Sequence, residues 1–330
     1  MYEDTNPLPQ DFQIRAATME DLGAVVHLLT ACDLADSGEP QWSEESLRSL
    51  WQADDVQVET DTWIVVAPNE ELAGYAALRR SGPGRIRSFL SVLPAYRGTG
   101  IEPHLLKQIE TWVLHQGAEV FAQAQVKIVI QMRGHNREGR KALEEAGYTL
   151  ARSFSIMEII LDRPFPSPRW AEGIIVRPFI PEQDEHAVYT VDEEIATDER
   201  DHRPMTFEEW KRWYYLDQEQ FDPTLWVLAS AGNELVGVAL NRSARDKGEI
   251  LHLGVHRSWR HKGLGMALLL HTFATFMQRD ISTISLSVDT QSLTGANRLY
   301  ERAGMSATDQ YHTYEKRVHA ESSESSTQNR

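Results

Sequence analysis

Two stretches of this chain carry the same succession of signals about 163 residues apart, so whatever fold one adopts the other is bound to adopt. Ile14-Arg15-Ala16-Ala17 and Val176-Arg177-Pro178-Phe179 each lead a strand into an acidic helix start, at an offset of 162. Trp63-Ile64-Val65-Val66 falls on Trp226-Val227-Leu228-Ala229, and Glu71-Leu72-Ala73-Gly74 on Glu234-Leu235-Val236-Gly237, both at 163, which reads as a repeated hairpin. The same offset sets the turn Val92 to Gly100 on Val255 to Gly263; near the ends Ala146-Gly147 meets Ala303-Gly304 at 157. Each copy runs strand, one or two helices, hairpin, central strand, glycine turn and helix, then strand, helix and a final strand, which is a mixed α/β class. Residues 162–173 contain Pro164, Pro166 and Pro168, a composition that suits a stiff linker. The expected partition is a first domain at 1–161, a second at 174–318, and a tail at 319–330 that lacks the apolar residues needed to fold.

The second copy holds the richest local signal, GEILHLGVHRSWRHKGLGMALLL at Gly248 to Leu270. A short apolar strand passes through Arg260, His261, Lys262, Gly263, Leu264 and Gly265 into a helical pattern that continues through Phe273 and Phe276. Amides in the first turn of a helix have no intrahelical partner, and glycines there let an anion reach the backbone. A Gly-x-Gly turn before a helix is by itself also an ordinary strand-to-helix connection. In the first copy Glu102 stands where the second has Gly265, and Pro103 where it has Met266. A carboxylate there repels a phosphate and a proline removes a donor, so the first copy reads as divergent and inactive.

The string Val255-x-x-x-x-Arg260-x-x-Gly263-x-Gly265, followed by Asn297-Arg298-Leu299-Tyr300 ahead of Ala303-Gly304, resembles the two acetyl-CoA-binding motifs of the GNAT N-acetyltransferase superfamily. The resemblance implies two tandem GNAT-like domains, each a splayed, mostly antiparallel mixed sheet flanked by helices. It implies acetyl-CoA as cofactor, with the pyrophosphate on residues Arg260 to Gly265 and the pantetheine arm on the backbone of Leu253 and Val255 and on Asn297. It further implies Tyr300 as general acid toward the departing thiolate. The strand Gly248 to Val255 resembles its counterpart in the mycothiol synthase family, tandem members whose catalytic glutamate falls at Glu249, where the first copy has Ile86. Glu249 is therefore the expected general base, sharing a face with Leu251, Leu253 and Val255 by period-2 alternation. The plainer alternatives are a solvated carboxylate at a strand start, a core tyrosine at 300 and a helix-surface Asn297. His252 and His256 read as a residue on the opposite strand face and a turn residue, and no metal site is expected.

The segment from Asp192 to Phe221 is the expected acceptor wall, carrying Asp192, Glu193, Glu194, Asp198, Glu199 and Asp201 with Trp210, Trp213, Tyr214 and Tyr215. Its acidic residues suit a cationic amine, although an amphipathic helix with a solvated face has the same pattern. A net charge of −16 argues against nonspecific nucleic-acid binding. No apolar run approaches the ~20 residues that span a bilayer. The acidic amino terminus lacks a leader pattern and the single Cys32 excludes an intrachain disulfide, so a cytoplasmic protein is expected. The reading is an N-acetyltransferase acting on a small-molecule amine, as a monomer or homodimer. A protein or peptide acetyltransferase and a noncatalytic coenzyme A-binding protein are the alternatives.

Overall fold

The computed structural model describes residues 8–53, 55–82, 84–121, 125–162, 165–198, 202–214, 221–244, 247–292 and 294–319. Their elements follow the repeat. The first series is β1 (Gln13–Arg15), α1 (Leu22–Ser37), α2 (Glu44–Trp51), α3 (Val58–Asp61), β2 (Thr62–Val66), β3 (Leu72–Arg80), β4 (Arg85–Val92), α4 (Ile101–Phe121), β5 (Gln125–Arg133), α5 (Arg137–Glu145) and β6 (Thr149–Ile160). The second is β7 (Ile174–Pro178), α6 (Glu185–Ala196), α7 (Phe207–Trp213), β8 (Val227–Ala231), β9 (Glu234–Ala244), β10 (Lys247–Val255), α8 (Leu264–Met277), β11 (Thr283–Asp289), α9 (Ala296–Arg302) and β12 (Ser306–His319). Of the expected tail, His319 ends β12 and residues 320–330 lie outside the described residues.

The compact units are Met1–Ser153 with Asp309–Arg330, and Phe154–Thr308. They are cut at these points rather than within 162–173 because the last strands are exchanged. The end of β6 pairs antiparallel with β11, from Ile160↔Thr283 to Phe154↔Asp289, while β12 pairs antiparallel with β5, from Tyr311↔Arg133 to His319↔Gln125. In the first unit the strands run β1, β2, β3, β4, β5, β12, and in the second β6, β11, β10, β9, β8, β7. Each order has one parallel neighbour pair, β4 with β5 and β10 with β11.

Those parallel pairs are short. β10 pairs with β11 only from Lys247↔Thr283 to Ile250↔Leu286, although β10 runs on to Val255. The sheet thus opens past Ile250, and the backbone from Leu251 to Val255 faces β11 without a ladder partner there. β4 and β5 part in the same way after Ser88↔Ile130. This is the splayed, mixed sheet that the family resemblance implied.

A glycine in each hairpin sets how closely the following helix packs. A Cβ on Gly237 would lie 2.9 Å from Leu268 Cδ1 of α8, and one on Gly74 would lie 2.9 Å from Ile101 Cγ2 of α4. Only hydrogen at Cα lets these helices seat on the sheet. The second unit's core then forms on two sides of β8–β10: Leu264 and Leu268 pack with Val227, Val236 and Ala239, and Phe179, Val188 and Trp210 pack with Leu228, Val238 and Leu240. An Arg–Asp clamp closes the start of each copy, Arg15 on Asp21 at 2.7 Å and Arg177 on Asp184 at 2.5 and 2.7 Å. These are the arginines and acidic helix starts that the repeat aligned.

Candidate active site

The geometry of the site turns on one irregularity in β10. Its register against β9 passes from Ile250↔Asn241 directly to His252↔Leu240, so Leu251 is the extra residue of a β-bulge. β4 pairs with β3 without a break from Ile86↔Arg80 to Val92↔Gly74. In the first copy strict alternation therefore puts Ile86, Leu90 and Val92 together on the α4 side. In the second, the extra residue reverses the faces partway along. Gly248 and Ile250 look toward α8, where Phe276 packs, so Glu249 between them looks the other way.

The expectation that Glu249 shares a face with Leu253 and Val255 is thus corrected. Leu253 and Val255 pack with Leu264 and Leu268 on the α8 side. Glu249 lies on the α6 side, as does His252, which bonds to Asp192 of α6, and Leu251 packs into that cluster as well. The residue read as pointing away from Glu249 shares its face.

Arg242, which had no assigned role, and Asp192, Trp210 and Tyr214 of the expected acceptor wall surround these positions. Arg242, opposite Glu249 on β9, donates from Nε to Glu249 Oε2 at 2.7 Å, and its terminal nitrogen lies 2.6 Å from the same oxygen. The Glu249 side chain remains 39% exposed, open enough for a substrate to reach. His252 Nδ1 is bonded to Asp192 Oδ1, and Trp210 Nε1 donates to Asp192 Oδ2 at 2.8 Å. Burial pushes the Asp192 carboxyl up, but the adjacent His252 and the donors from Trp210 and Tyr214 outweigh it and hold the carboxyl below its ordinary value. With Asp192 ionised, Nδ1 of His252 is the proton-bearing nitrogen of the pair.

Two more acidic residues of the expected wall, Glu193 and Asp198, have internal tasks. Glu193 Oε2 takes His202 Nε2 at 3.2 Å and the Met205 amide at 3.3 Å. Asp198 binds Arg257 and, at 2.5 Å, Arg260. Trp210 and Tyr214 are buried and Trp213 is exposed. Glu194 is an exposed residue 3.7 Å from His256. Glu199, Asp201 and Tyr215 lie outside the described residues.

At the far end of β10 the glycine turn is built from backbone more than from cationic side chains. Arg260 is turned back onto Val255 O at 3.0 Å and onto Asp198, and Lys262 Nζ sits 4.5 Å over the Trp259 ring. His261 adopts φ +61 and Gly263 φ +83, the left-handed conformations that Gly98 and Gly100 adopt in the first copy at +72 and +106. Left-handed residues alternating with others in a turn expose successive amides that can bind an anion, and the first turn of α8 adds its own. Gly265 leaves room beside them; a Cβ there would meet Leu299 Cδ2 of α9 at 3.4 Å.

The first copy shows what that turn accepts. The Gly98 amide lies 3.1 and 3.3 Å from the two carboxylate oxygens of Glu102, which is 2% exposed. Burial pushes this carboxyl above its ordinary value even though the Glu102 and Gly98 amides draw it back. Arg97 is locked as Arg260 is, on Val92 O at 3.1 Å and on Asp36 at 2.6 and 2.8 Å. An anion thus fits this nest of amides, and in the first copy the chain supplies one.

Tyr300 and Asn297 come from α9. Tyr300 is buried at 7% exposure in a core with Phe273, Leu286 and Val288. Asn297 Nδ2 donates to Asp289 O at 3.0 Å and so ties the end of β11 to α9. Among the described residues no group of three His, Cys, Asp or Glu side chains is placed to hold a metal ion, and no helix is long and apolar enough to cross a membrane.

A family profile described as Acetyltransferase (GNAT) family matches residues 25–129 and 187–305. A mycothiol acetyltransferase of Thermobispora bispora is 31% identical over 251 residues, 73% of this chain and 79% of its own. That of Kineococcus radiotolerans is 30% identical over 295 residues, 87% of this chain and 90% of its own. Among solved structures, a GCN5-related N-acetyltransferase from Sphaerobacter thermophilus matches with TM-score 0.81 at 34% identity, over 95% of this chain and 98% of its own. A tandem GNAT protein from the clavulanic acid biosynthesis pathway shares the fold, with TM-score 0.68 at 13% identity over 94% of this chain and all of its own.

Proposed function

Because this chain belongs to the GNAT acetyltransferase family, matched in both of its copies, we propose that its second copy transfers the acetyl group of acetyl-CoA directly to the primary amine of a small molecule. The observation that carries this reading is the bulge at Leu251, present in β10 and absent from β4. It turns Glu249 off the α8 face and onto the face of α6, immediately before the point where β10 and β11 part.

Acetyl-CoA supplies the acyl group as a thioester. In this reading the amides of the turn from His261 to Gly265 hold its pyrophosphate, with Arg260 and Lys262 shaping the turn, and the open edge at Leu253 and Val255 pairs with the pantetheine arm. Glu249 takes a proton from the acceptor's ammonium group, held in place by Arg242. Tyr300 gives a proton to the departing sulfur, and Asn297 ties α9, which carries Tyr300, to the end of β11. The first copy carries no transfer of its own in this reading, its anion nest being closed by Glu102.

The relatives favour the amine that mycothiol acetyltransferases accept as the first compound to try. The test is acetylation of a panel containing that amine, simpler amino sugars and aminothiols, and a set of peptides. Transfer to small amines, with kcat reduced about 10²- to 10⁴-fold in Glu249→Gln, is expected for loss of a general base. Acetylation of peptides alone, or binding of acetyl-CoA without transfer to anything, contradicts it.

A further inference from the structure

The acceptor nitrogen must lose two protons in each turnover, and the residues above account for one. An ammonium loses the first to become a nucleophile. Once its lone pair has formed the C–N bond the nitrogen is again cationic, and it loses the second before the product amide is stable. The C–S bond breaks with its electron pair on sulfur, which takes the proton of Tyr300. One of the nitrogen's protons makes good the loss from Tyr300 and the other goes to water. Two protons thus leave one nitrogen in each turnover, and Glu249, a single carboxylate engaged through Oε2 by Arg242, can hold only one of them at a time.

Building on the function proposed above, we propose that His252, oriented by Asp192, is the second proton acceptor, a catalytic residue that takes the nitrogen's second proton while Glu249 takes the first. The bulge at Leu251 is what makes this possible. It puts His252 on the face of Glu249 rather than on the α8 face, at the first position of β10 paired with β9 beyond the bulge. His252 therefore stands beside the gap between β10 and β11 through which a thioester would be presented.

The partner is built for the purpose. Asp192 is 3% exposed, and its second oxygen accepts from Trp210 Nε1, so both oxygens are engaged and the carboxylate is held in orientation. A buried anion on Nδ1 sets the tautomer that leaves Nε2 as the basic nitrogen and stabilises the imidazolium formed when that nitrogen takes a proton. Among the described residues, Asp192 from α6 bonds the imidazole, the same carboxylate accepts from Trp210 of α7 and from Tyr214 just past its end, and Glu249 and its partner Arg242 of β9 stand on the same face of the sheet. The first copy has Phe89 where the second has His252, so both proton acceptors are missing there.

The experiment compares wild type, Glu249→Gln, His252→Gln and Asp192→Asn in the full chain, measuring kcat and kcat/KM for amine acetylation from pH 5.5 to about 9.5, and acetyl-CoA affinity by calorimetry. His252→Gln should lower kcat by about 10²-fold or more with acetyl-CoA affinity unchanged. Asp192→Asn should lower kcat less, and should move the acid limb of the kcat/KM profile to lower pH, because loss of the anion makes the imidazole a weaker base. A His252→Gln enzyme with wild-type kcat across the range, beside a disabled Glu249→Gln, overturns the role of His252 and leaves the proposed function standing. A wild type that acetylates no amine overturns both. Should His252→Gln lose acetyl-CoA binding through misfolding, the Asp192→Asn profile decides: an unmoved acid limb overturns the proposal.

Discussion

Replacing Gly265 by glutamate copies the first-copy residue into the second-copy turn and should abolish its anion site without unfolding the domain. The fold tolerates the side chain: a Cβ at Gly265 meets nothing closer than Leu299 Cδ2 at 3.4 Å and Val255 Cγ2 at 3.8 Å. Glu102 shows where the carboxylate would settle, against the amide equivalent to that of His261. Two unit charges about 4 Å apart repel by roughly 4 kcal/mol at an effective dielectric constant near 20. With partial screening, about 2–4 kcal/mol corresponds to a loss of roughly thirty- to thousandfold in affinity. Calorimetric titration of acetyl-CoA into wild type, Gly265→Glu and Gly265→Gln separates charge from bulk. The glutamine variant should weaken binding by less than about tenfold, since it adds volume without charge. If the two variants bind alike, or the glutamate variant binds as wild type does, the assignment of the anion site to this turn is wrong.

Four further outcomes can be checked. Gly254→Ala should destabilise the chain by about 1–3 kcal/mol in denaturant titration, because its Cβ would lie 2.7 Å from Ile195 Cγ2 and push α6 off the sheet. Arg257 and then Arg260 hold the Asp198 carboxyl down to about 2 from 3.8, so this residue stabilises the fold above 3.8 and the contribution is lost as pH falls through that window toward 2. The exposed Arg257 partner limits it to about 1 kcal/mol, and the stability difference between wild type and Asp198→Asn should shrink accordingly on acidification. Cys32 is buried, with Sγ 3.3 Å from Val92 O and its thiol pushed up to about 11 by burial, so it should stay unreactive toward an aromatic disulfide reagent until the chain unfolds. Tyr300→Phe should lower kcat by at least about tenfold with natural acetyl-CoA and by less with an acetyl thioester whose thiol is more acidic, because a better leaving group needs no proton.

The repeat, the element order and the turn were legible because each rests on local chemistry: apolar periodicity, the matched strings of the two hairpins, and glycine ahead of α8. Glu102 was also legible as an obstacle to phosphate, since a charge at a helix start acts on whatever approaches the amides. The faces of β10 were not. Alternation from Glu249 describes β4 well, where Ile86, Leu90 and Val92 do share a face, but one extra residue in a ladder has no signature in apolar pattern. The misplacement of Glu249 and the neglect of His252 have that single cause. Asp192 was visible as one acid among several; only the fold shows that it is buried against His252 while Asp198 serves the turn. The exchange of β6 and β12 was hidden for a related reason. Both final strands carry the same pattern, and the edges of β5 and β11 offer each of them equivalent antiparallel partners.

The most direct test of a single working centre is the stoichiometry of acetyl-CoA on the unmodified chain, read by calorimetry and by native mass spectrometry. The turn open at Gly265 and closed by Glu102 predicts one molecule bound per chain. Two molecules of comparable affinity would mean that the carboxylate of Glu102 yields to a pyrophosphate, and that the asymmetry between the copies is not what assigns the chemistry to the second.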